Sequence, residues 1–252
     1  MKKGTKIIAT ISDRKCDVEF LTELFEEGMN VVRLNTAHQS HADAQKVIDN
    51  VRAVSEKIAW LIDTKGPEIR TVDIKEDFYL SKGDKIKVVG SKSDLNEENT
   101  FAVSYEFFVQ DIEVGNRVLI DDGDLELLVI EKNDDFLTVE AQNDGFLKNR
   151  KSVNIPGVSI NLPSLSKKDR EFIQFAIDQD IDFIAHSFVR KKEDVLEIQK
   201  ILDARESKIK IIAKIENQEG VDNIDEILEC VYGVMVARGD LAIEIPAAKI
   251  PV

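Results

Sequence analysis

Hydrophobic and polar positions change their period twice along the chain. From residue 1 to 70, short apolar runs alternate with stretches of helical period. Lys6–Thr10, Asn30–Asn35 and Ile58–Asp63 are β-rich runs bounded by polar residues, which predicts strands. Asp17–Glu27 places Phe20, Leu21, Leu24 and Phe25 on one helical face, with Gly28 positioned to end it. Ser40–Lys57 carries Ala44, Val47, Ile48, Val51 and Val54 as an apolar stripe. A βαβαβ order with short connections implies a parallel sheet.

Near Thr71 the helical period disappears. Residues 71–155 read as short strands broken by turn signals: Lys85–Val89, Arg117–Ile120, Leu125–Glu131 and Phe136–Gln142 are the strand candidates. Asp121-Asp122-Gly123, Asn133-Asp134-Asp135 and Asn143-Asp144-Gly145 are the turns. This stretch predicts a small all-β barrel inserted into the α/β domain. The βα rhythm resumes over residues 156–252. Ser166-Lys167-Lys168-Asp169 has the form of a capping box opening a helix to Asp178. Asp182–Ser187, Ile209–Ile215 and Tyr232–Ala237 predict strands; Lys191–Ala204 and Asn223–Cys230 predict helices. About six strand–helix units result, roughly two fewer than a (β/α)8 barrel needs. The expected architecture is an α/β fold: an incomplete (β/α)8 barrel carrying an inserted β domain. A sixth helix is expected from about Pro246.

Polar residues gather where these strands end. Lys214 and Glu216 lie two apart at the close of the fifth strand, so they share a face. Arg33 and Asn35 close the second strand in the same way, and Asp63 and Lys65 the third. The sixth runs out as Ala237-Arg238-Gly239-Asp240. Charges at one end of successive parallel strands converge on the rim where α/β barrels place chemistry. Glu216 and Asp240 are hard oxygen ligands suited to Mg²⁺ or Mn²⁺. Arg33 can fork onto phosphate, and Lys214 can face a phosphoryl group or an enolate oxygen. No Walker A or kinase-type glycine loop is present, so nucleotide binding needs another arrangement.

Charge narrows the partners. Lys and Arg total 34 against 48 Asp and Glu, a formal net charge of −14. That balance argues against nucleic acid or an anionic membrane surface as partner. No apolar run is long enough to span a bilayer and no hydrophobic signal core opens the chain, so a cytoplasmic protein is expected. Cys16 and Cys230 match no metal or redox spacing and read as reduced core residues. Glu97-Glu98 reads as a solvated face.

The segments Arg33-Leu34-Asn35, Asp63-Thr64-Lys65-Gly66-Pro67-Glu68-Ile69-Arg70, Ala213-Lys214-Ile215-Glu216-Asn217-Gln218-Glu219-Gly220 and Met235-Val236-Ala237-Arg238-Gly239-Asp240 resemble the pyruvate kinase family, in its order. Ser152-Val153-Asn154-Ile155-Pro156-Gly157 and Ser187-Phe188-Val189-Arg190-Lys191 also fit, and the inserted β domain falls where that family places its lid. The resemblance implies phosphoryl transfer from phosphoenolpyruvate to ADP, in glycolysis, giving pyruvate and ATP. It implies that Arg33 contacts the transferring group, Lys214 stabilises it and the enolate, and Glu216 and Asp240 hold the divalent metal. It also implies that Asn35, Asp63 and Thr64 bind K⁺, that Ala237, Arg238, Gly239 and Asp240 hold the substrate carboxylate, and that Asn35, His38, Arg70 and Lys151 lie near the nucleotide. A homo-oligomer is expected for the full-length protein.

Several positions depart from the family pattern. Ala37 stands where a K⁺-ligating serine is usual, while Glu68 matches the residue that accompanies K⁺ dependence; together they predict weak K⁺ dependence. Ser12-Asp13 replaces the usual Gly-Pro after the first strand. His186 replaces a small residue and is expected to have a structural or hydrogen-bonding role. Relative to the family, the last two barrel strands, the threonine segment linked to enolate protonation and the C-terminal regulatory domain are missing. The expectation is therefore a fragment with little or no turnover and an exposed sheet edge at its first and sixth strands. Two alternatives stay open: another metal-dependent barrel handling phosphoenolpyruvate or pyruvate, and a non-catalytic binding protein.

Overall fold

The computed structural model describes residues 4–91 and 99–249. Two compact units divide them: residues 1–67, 163–216 and 220–236 form the first, and residues 68–162, 217–219 and 237–252 the second. Glu97-Glu98 and the last residues of the expected sixth helix lie outside the described residues.

The first unit opens with β1 (Ile7–Thr10), α1 (Val18–Glu26), β2 (Met29–Asn35), α2 (His41–Val54) and β3 (Ala59–Asp63). In the second lie β4 (Thr71–Val72), β5 (Phe78–Leu80), β6 (Lys85–Val89), β7 (Thr100–Val103), α3 (Phe108–Asp111), β8 (Arg117–Ile120), β9 (Leu125–Lys132), β10 (Leu137–Ala141), β11 (Gly145–Leu147) and β12 (Val153–Asn154). The chain then returns to the first unit with α4 (Lys167–Asp178), β13 (Phe183–His186), α5 (Lys192–Ala204), β14 (Lys210–Ile215), α6 (Gln218–Asp222, whose first two residues belong to the second unit), α7 (Ile224–Leu228) and β15 (Gly233–Val236). Last come α8 (Arg238–Glu244) and a 3-10 turn at Ala247–Lys249.

The expected α/β architecture holds. Six parallel strands run in the order β1-β2-β3-β13-β14-β15, an incomplete (β/α)8 barrel. One face meets the helices: Val32, Leu34, Ile62, Ile184, Ile211 and Ala213 are buried against the α2, α4 and α5 stripes. The other face has its own apolar layer, in which Val31, Leu61 and Ala185 are buried with Ala59, Phe183, Ile212 and Met235 packed round them. Strand alternation assigns odd positions of β2 to this layer and even positions to the helices. The expected capping box is present: Ser166 Oγ accepts the Asp169 amide at 3.1 Å while Asp169 Oδ2 accepts the Ser166 amide at 2.9 Å. Ser40 and Asp43 cap α2 in the same manner.

Edge strands β1 and β15 each pair on one side among the described residues, and they expose Ile7, Ile8, Val234 and Val236.

The inserted domain is a seven-stranded sheet, β12-β8-β9-β10-β6-β7-β4, plus the ribbon β11-β5. Its two ends meet. Arg70 and Ser152 form a bridge, and the Thr71 amide donates to Lys151 O at 2.9 Å, which curls the sheet into a barrel. Phe108, Ile112, Val118, Leu127 and Val139 fill the interior. Asp121 and Asp122 hold positive φ of 55° and 58° in the expected hairpin turn between β8 and β9.

The expected helix Asn223–Cys230 is present as α7, Ile224–Leu228, and an unanticipated short helix, α6, precedes it with a break at Asn223. That residue sits at φ −100°, ψ 16°, and its side chain donates to Arg190 O at 2.9 Å instead of facing solvent. The stretch expected to end the sixth strand leaves it after Val236: Arg238, Gly239 and Asp240 form the first turn of α8, ahead of the place expected for a sixth helix. Leu241 and Ile245, four apart and both buried, hold this turn down.

Candidate active site at the strand ends

One layer beyond the apolar positions Val31, Leu61, Ala185 and Ile212, each strand continues two residues further on the same face. Those positions are Arg33, Asp63, Ser187 and Lys214, with Glu216 one step beyond. An apolar floor is thus capped by a charged layer, because the alternation that buries one residue aims its i+2 neighbour the same way. Register enforces proximity: Asn35 pairs with Asp63, Asp63 with Ala185, and His186 with Ala213.

The charged layer is a connected network. Asp63 Oδ2 accepts Arg33 Nε at 2.7 Å and lies 2.5 Å from Arg33 Nη2. Two guanidinium nitrogens thus converge on one charged carboxylate oxygen, while Asp63 Oδ1 is left to Lys214 and Ser187. Thr10 Oγ1 takes Arg33 Nη1 at 3.0 Å. Lys214 Nζ lies 2.8 Å from Glu216 Oε1 and 3.2 Å from Asp63 Oδ1, and it donates to Ser187 Oγ at 2.9 Å. Its three N–H groups therefore each have an acceptor. Glu216 Oε2 accepts the Phe188 amide at 2.7 Å. Asp63, Ser187 and Glu216 are 1 % exposed and Lys214 8 %, so these charges are desolvated and depend on one another. Burial opposes the Lys214 charge, but Glu216 and Asp63 outweigh it and hold the group above the ordinary lysine range. It is an ammonium at neutral pH.

The backbone below is fixed by tight packing. Gly66 has φ +71°, and a Cβ there would lie 2.9 Å from both Phe188 Cδ2 and Ser187 Cβ. Asp169, fully buried, accepts the Lys65 amide at 2.8 Å as well as closing its capping box. Thr64 Oγ1 accepts the Ser187 amide at 3.0 Å.

The other expected residues are less central. Asn35 Oδ1 accepts the Ala37 amide at 3.0 Å, and His38 is exposed. In the second unit, Arg70 pairs with Glu68 and donates to Arg150 O at 2.5 Å. Lys151 lies 2.7 Å from Asp121, and this hydrogen bond raises its pKa. Arg238, Gly239 and Asp240 are exposed, Ala237 half-buried. Gly239 and Asp240 line a cavity of about 720 Å³ shared with Arg117, Glu126 and Glu244. Of the two roles expected for His186, the hydrogen-bonding one is not seen: the ring is fully buried, and among the described residues neither ring nitrogen has a hydrogen-bond partner. Burial lowers its pKa to about 4, against the pull of Asp194, Asp169 and Glu197. Its role is structural and apolar. Sequence reading missed Ser187, Asp169 and the Phe188 amide as parts of the site; continuing the Ala185 face by two residues was the available signal for Ser187.

Among the described residues no group of three His, Cys, Asp or Glu side chains comes together as a complete metal site. No helix among them is long and apolar enough to cross a membrane. Cys16 is buried, Cys230 half-buried, and both are free.

A parallel β/α sheet with its charged layer at the carboxyl ends of the strands, interrupted by a β-barrel insertion, defines a protein of the (β/α)8-barrel class. The model of the pyruvate kinase barrel domain matches residues 2–252. The chain belongs to the pyruvate kinase family. It is 53 % identical over its whole length to a pyruvate kinase of Borreliella burgdorferi, covering 53 % of that protein. It is 46 % identical to one of Geobacillus stearothermophilus, again over all of this chain and 44 % of the relative. A pyruvate kinase of Staphylococcus epidermidis is 44 % identical over 99 % of the chain and 44 % of its own length. The chain thus spans about half the length of the curated relatives it matches.

Proposed function

We propose that the chain houses a phosphoryl-transfer site that moves the phosphoryl group of phosphoenolpyruvate to ADP, giving pyruvate and ATP. The observation that carries this reading is Lys214: a desolvated ammonium at a strand end, flanked by Glu216 and Asp63, with the Arg33 fork on the other side of Asp63. In the reaction the bond from phosphorus to the enol oxygen breaks as one forms to the terminal oxygen of ADP. Negative charge on the enolate oxygen then grows. A preorganised ammonium in a water-poor site meets that charge without reorganisation. Arg33 supplies a planar fork for the phosphoryl oxygens. The enolate carbon finally takes up a proton.

Glu216 and Asp240 are the carboxylates proposed to hold Mg²⁺ or Mn²⁺, and their hard oxygens fit such an ion. Two carboxylates leave most of such an ion's shell to water and substrate oxygens. The bound ion would act as a Lewis acid on the transferring group. The proposed K⁺ site of Asn35, Asp63 and Thr64 fits less well. Ala37 offers no hydroxyl and Asn35 Oδ1 is already used by the Ala37 amide. Water in that place is consistent with weak K⁺ dependence. The main chain of Ala237 to Asp240 is proposed to receive the substrate carboxylate, with His38, Arg70 and Lys151 toward the nucleotide.

A second reading is metal-dependent phosphoenolpyruvate binding with little turnover, favoured by Lys214 already having an acceptor for each N–H. Luminescent detection of ATP formed from phosphoenolpyruvate and ADP separates the two. ATP formation that depends on Lys214 supports the first, and binding without it the second. Neither ATP nor metal-dependent binding overturns both.

A further inference from the structure

We propose that Ser187 is a positioning residue for Lys214, and that its hydroxyl is the partner Lys214 gives up when an anionic substrate oxygen arrives. The substrate in this inference rests on the function proposed above; the positioning rests on geometry alone. Lys214 has three acceptors, and they are not equivalent. Glu216 Oε1 at 2.8 Å and Asp63 Oδ1 at 3.2 Å carry charge, whereas Ser187 Oγ at 2.9 Å is neutral. The ammonium charge assists all three bonds, but only the two carboxylates add the attraction of an opposite charge. Exchanging the neutral partner for a phosphoryl or enolate oxygen is therefore the least costly exchange open to the ammonium, and it leaves both carboxylates paired.

Ser187 is built to hold that place. Its backbone amide donates to Thr64 Oγ1 at 3.0 Å, and its hydroxyl contacts Thr64 O at 2.7 Å and Asp63 Oδ1 at 3.1 Å. A hydroxyl has one proton and two lone pairs. The proton is committed toward Thr64 O or Asp63, so a lone pair faces Lys214. The next residue, Phe188, has φ +56° and gives its amide to Glu216 Oε2. One turn thus orients both members of the Lys214/Glu216 pair, and Gly66 leaves the space it needs. Without the hydroxyl, only Asp63 and Glu216 remain to hold the ammonium, which is drawn down between them and away from the direction the hydroxyl had defined.

The test uses the whole chain with Ser187→Ala, which adds no volume, and Ser187→Cys, which keeps the shape with a weaker acceptor. The first readout is the ¹⁵N signal of the Lys214 ammonium, assigned by its loss in Lys214→Met and visible only while its protons are shielded from exchange with water. We expect a resolved signal in the unsubstituted chain, a broadened one in Ser187→Cys and none in Ser187→Ala. The second readout is calorimetric phosphoenolpyruvate affinity with Mg²⁺ present, expected to fall about tenfold in Ser187→Ala and by less in Ser187→Cys. A merely structural serine would lower thermal stability and move neither readout, and that result overturns the proposal. Should Ser187→Ala not fold, the ordering of the Cys variant against the unsubstituted chain decides. If the unsubstituted chain binds no phosphoenolpyruvate, the functional reading fails while the ammonium signal still judges the positioning role.

Discussion

His186 places an ionisable ring where water cannot reach it, and that makes the stability of the barrel unit depend on pH in a calculable way. Its pKa falls from 6.5 to about 4, because burial disfavours the imidazolium more than Asp194, Asp169 and Glu197 favour it, with Arg190 adding to the opposition. The unfolded chain binds a proton at this ring below pH 6.5, whereas the folded chain does so only below about 4. Stability is therefore whole above the unfolded value, declines as pH drops through it, and levels off once both states are protonated. The full difference is about 3 kcal/mol, of which about 2 kcal/mol is lost by about pH 5. Urea unfolding at a series of pH values measures it. Carboxylates titrate in part of the same window, so the informative quantity is the difference in slope between the unsubstituted chain and His186→Leu, which fills similar space without titrating. We expect the variant to lose less stability than its parent between about pH 7.5 and about pH 5, by about 2 kcal/mol. Parallel curves would show instead that the ring is hydrated or partnered in the folded chain.

Other consequences are equally direct. Gly66→Ala adds a Cβ 2.9 Å from Phe188 and Ser187 at a φ of +71°, so denaturation should show a loss of about 2 kcal/mol or more; unchanged stability would mean the loop can relax. Asp169→Ala removes the acceptor for the Lys65 and Ser166 amides together and should lower stability by about 3 kcal/mol, clearly more than Asp43→Ala at the exposed α2 cap. Equal costs at the two caps would contradict the role given to the Lys65 loop. The exposed apolar edges at Ile7, Ile8, Val234 and Val236 should promote concentration-dependent association in sedimentation experiments, weakened by Ile8→Lys and Val236→Lys; a monomer at all concentrations would count against it.

Much of the barrel was legible because its strands and helices announce themselves by period. The stripe Ala44, Val47, Ile48 and Val51 buries as its spacing requires, and the Ser166/Asp169 signature caps the helix it precedes. The inserted domain was harder. Strands β4, β5, β7, β11 and β12 have two to four residues, too few for alternation to rise above turn-like surroundings. The start of α8 was hidden for a different reason. Gly239 in its first turn suggests a loop, and only the Leu241/Ile245 spacing records the helix. Within the site, sequence spacing placed Arg33, Asp63, Lys214 and Glu216 on one face of their strands. It could not tell that Lys214 has an acceptor for each N–H, nor that Glu216 accepts the Phe188 amide. Those facts depend on which strand lies beside which, and the order β3-β13-β14 is a property of the folded sheet.

The central claim is that the Lys214/Glu216 pair receives a phosphorylated enol together with a divalent metal. Calorimetric titration of the chain with phosphoenolpyruvate, with and without Mg²⁺, tests it most directly, repeated on Lys214→Met and Glu216→Gln. We expect binding that requires Mg²⁺ and weakens at least about tenfold in each variant, with Glu216→Gln also shifting the metal dependence to higher concentration. Binding that ignores the metal, or that survives unchanged in both variants, would contradict it.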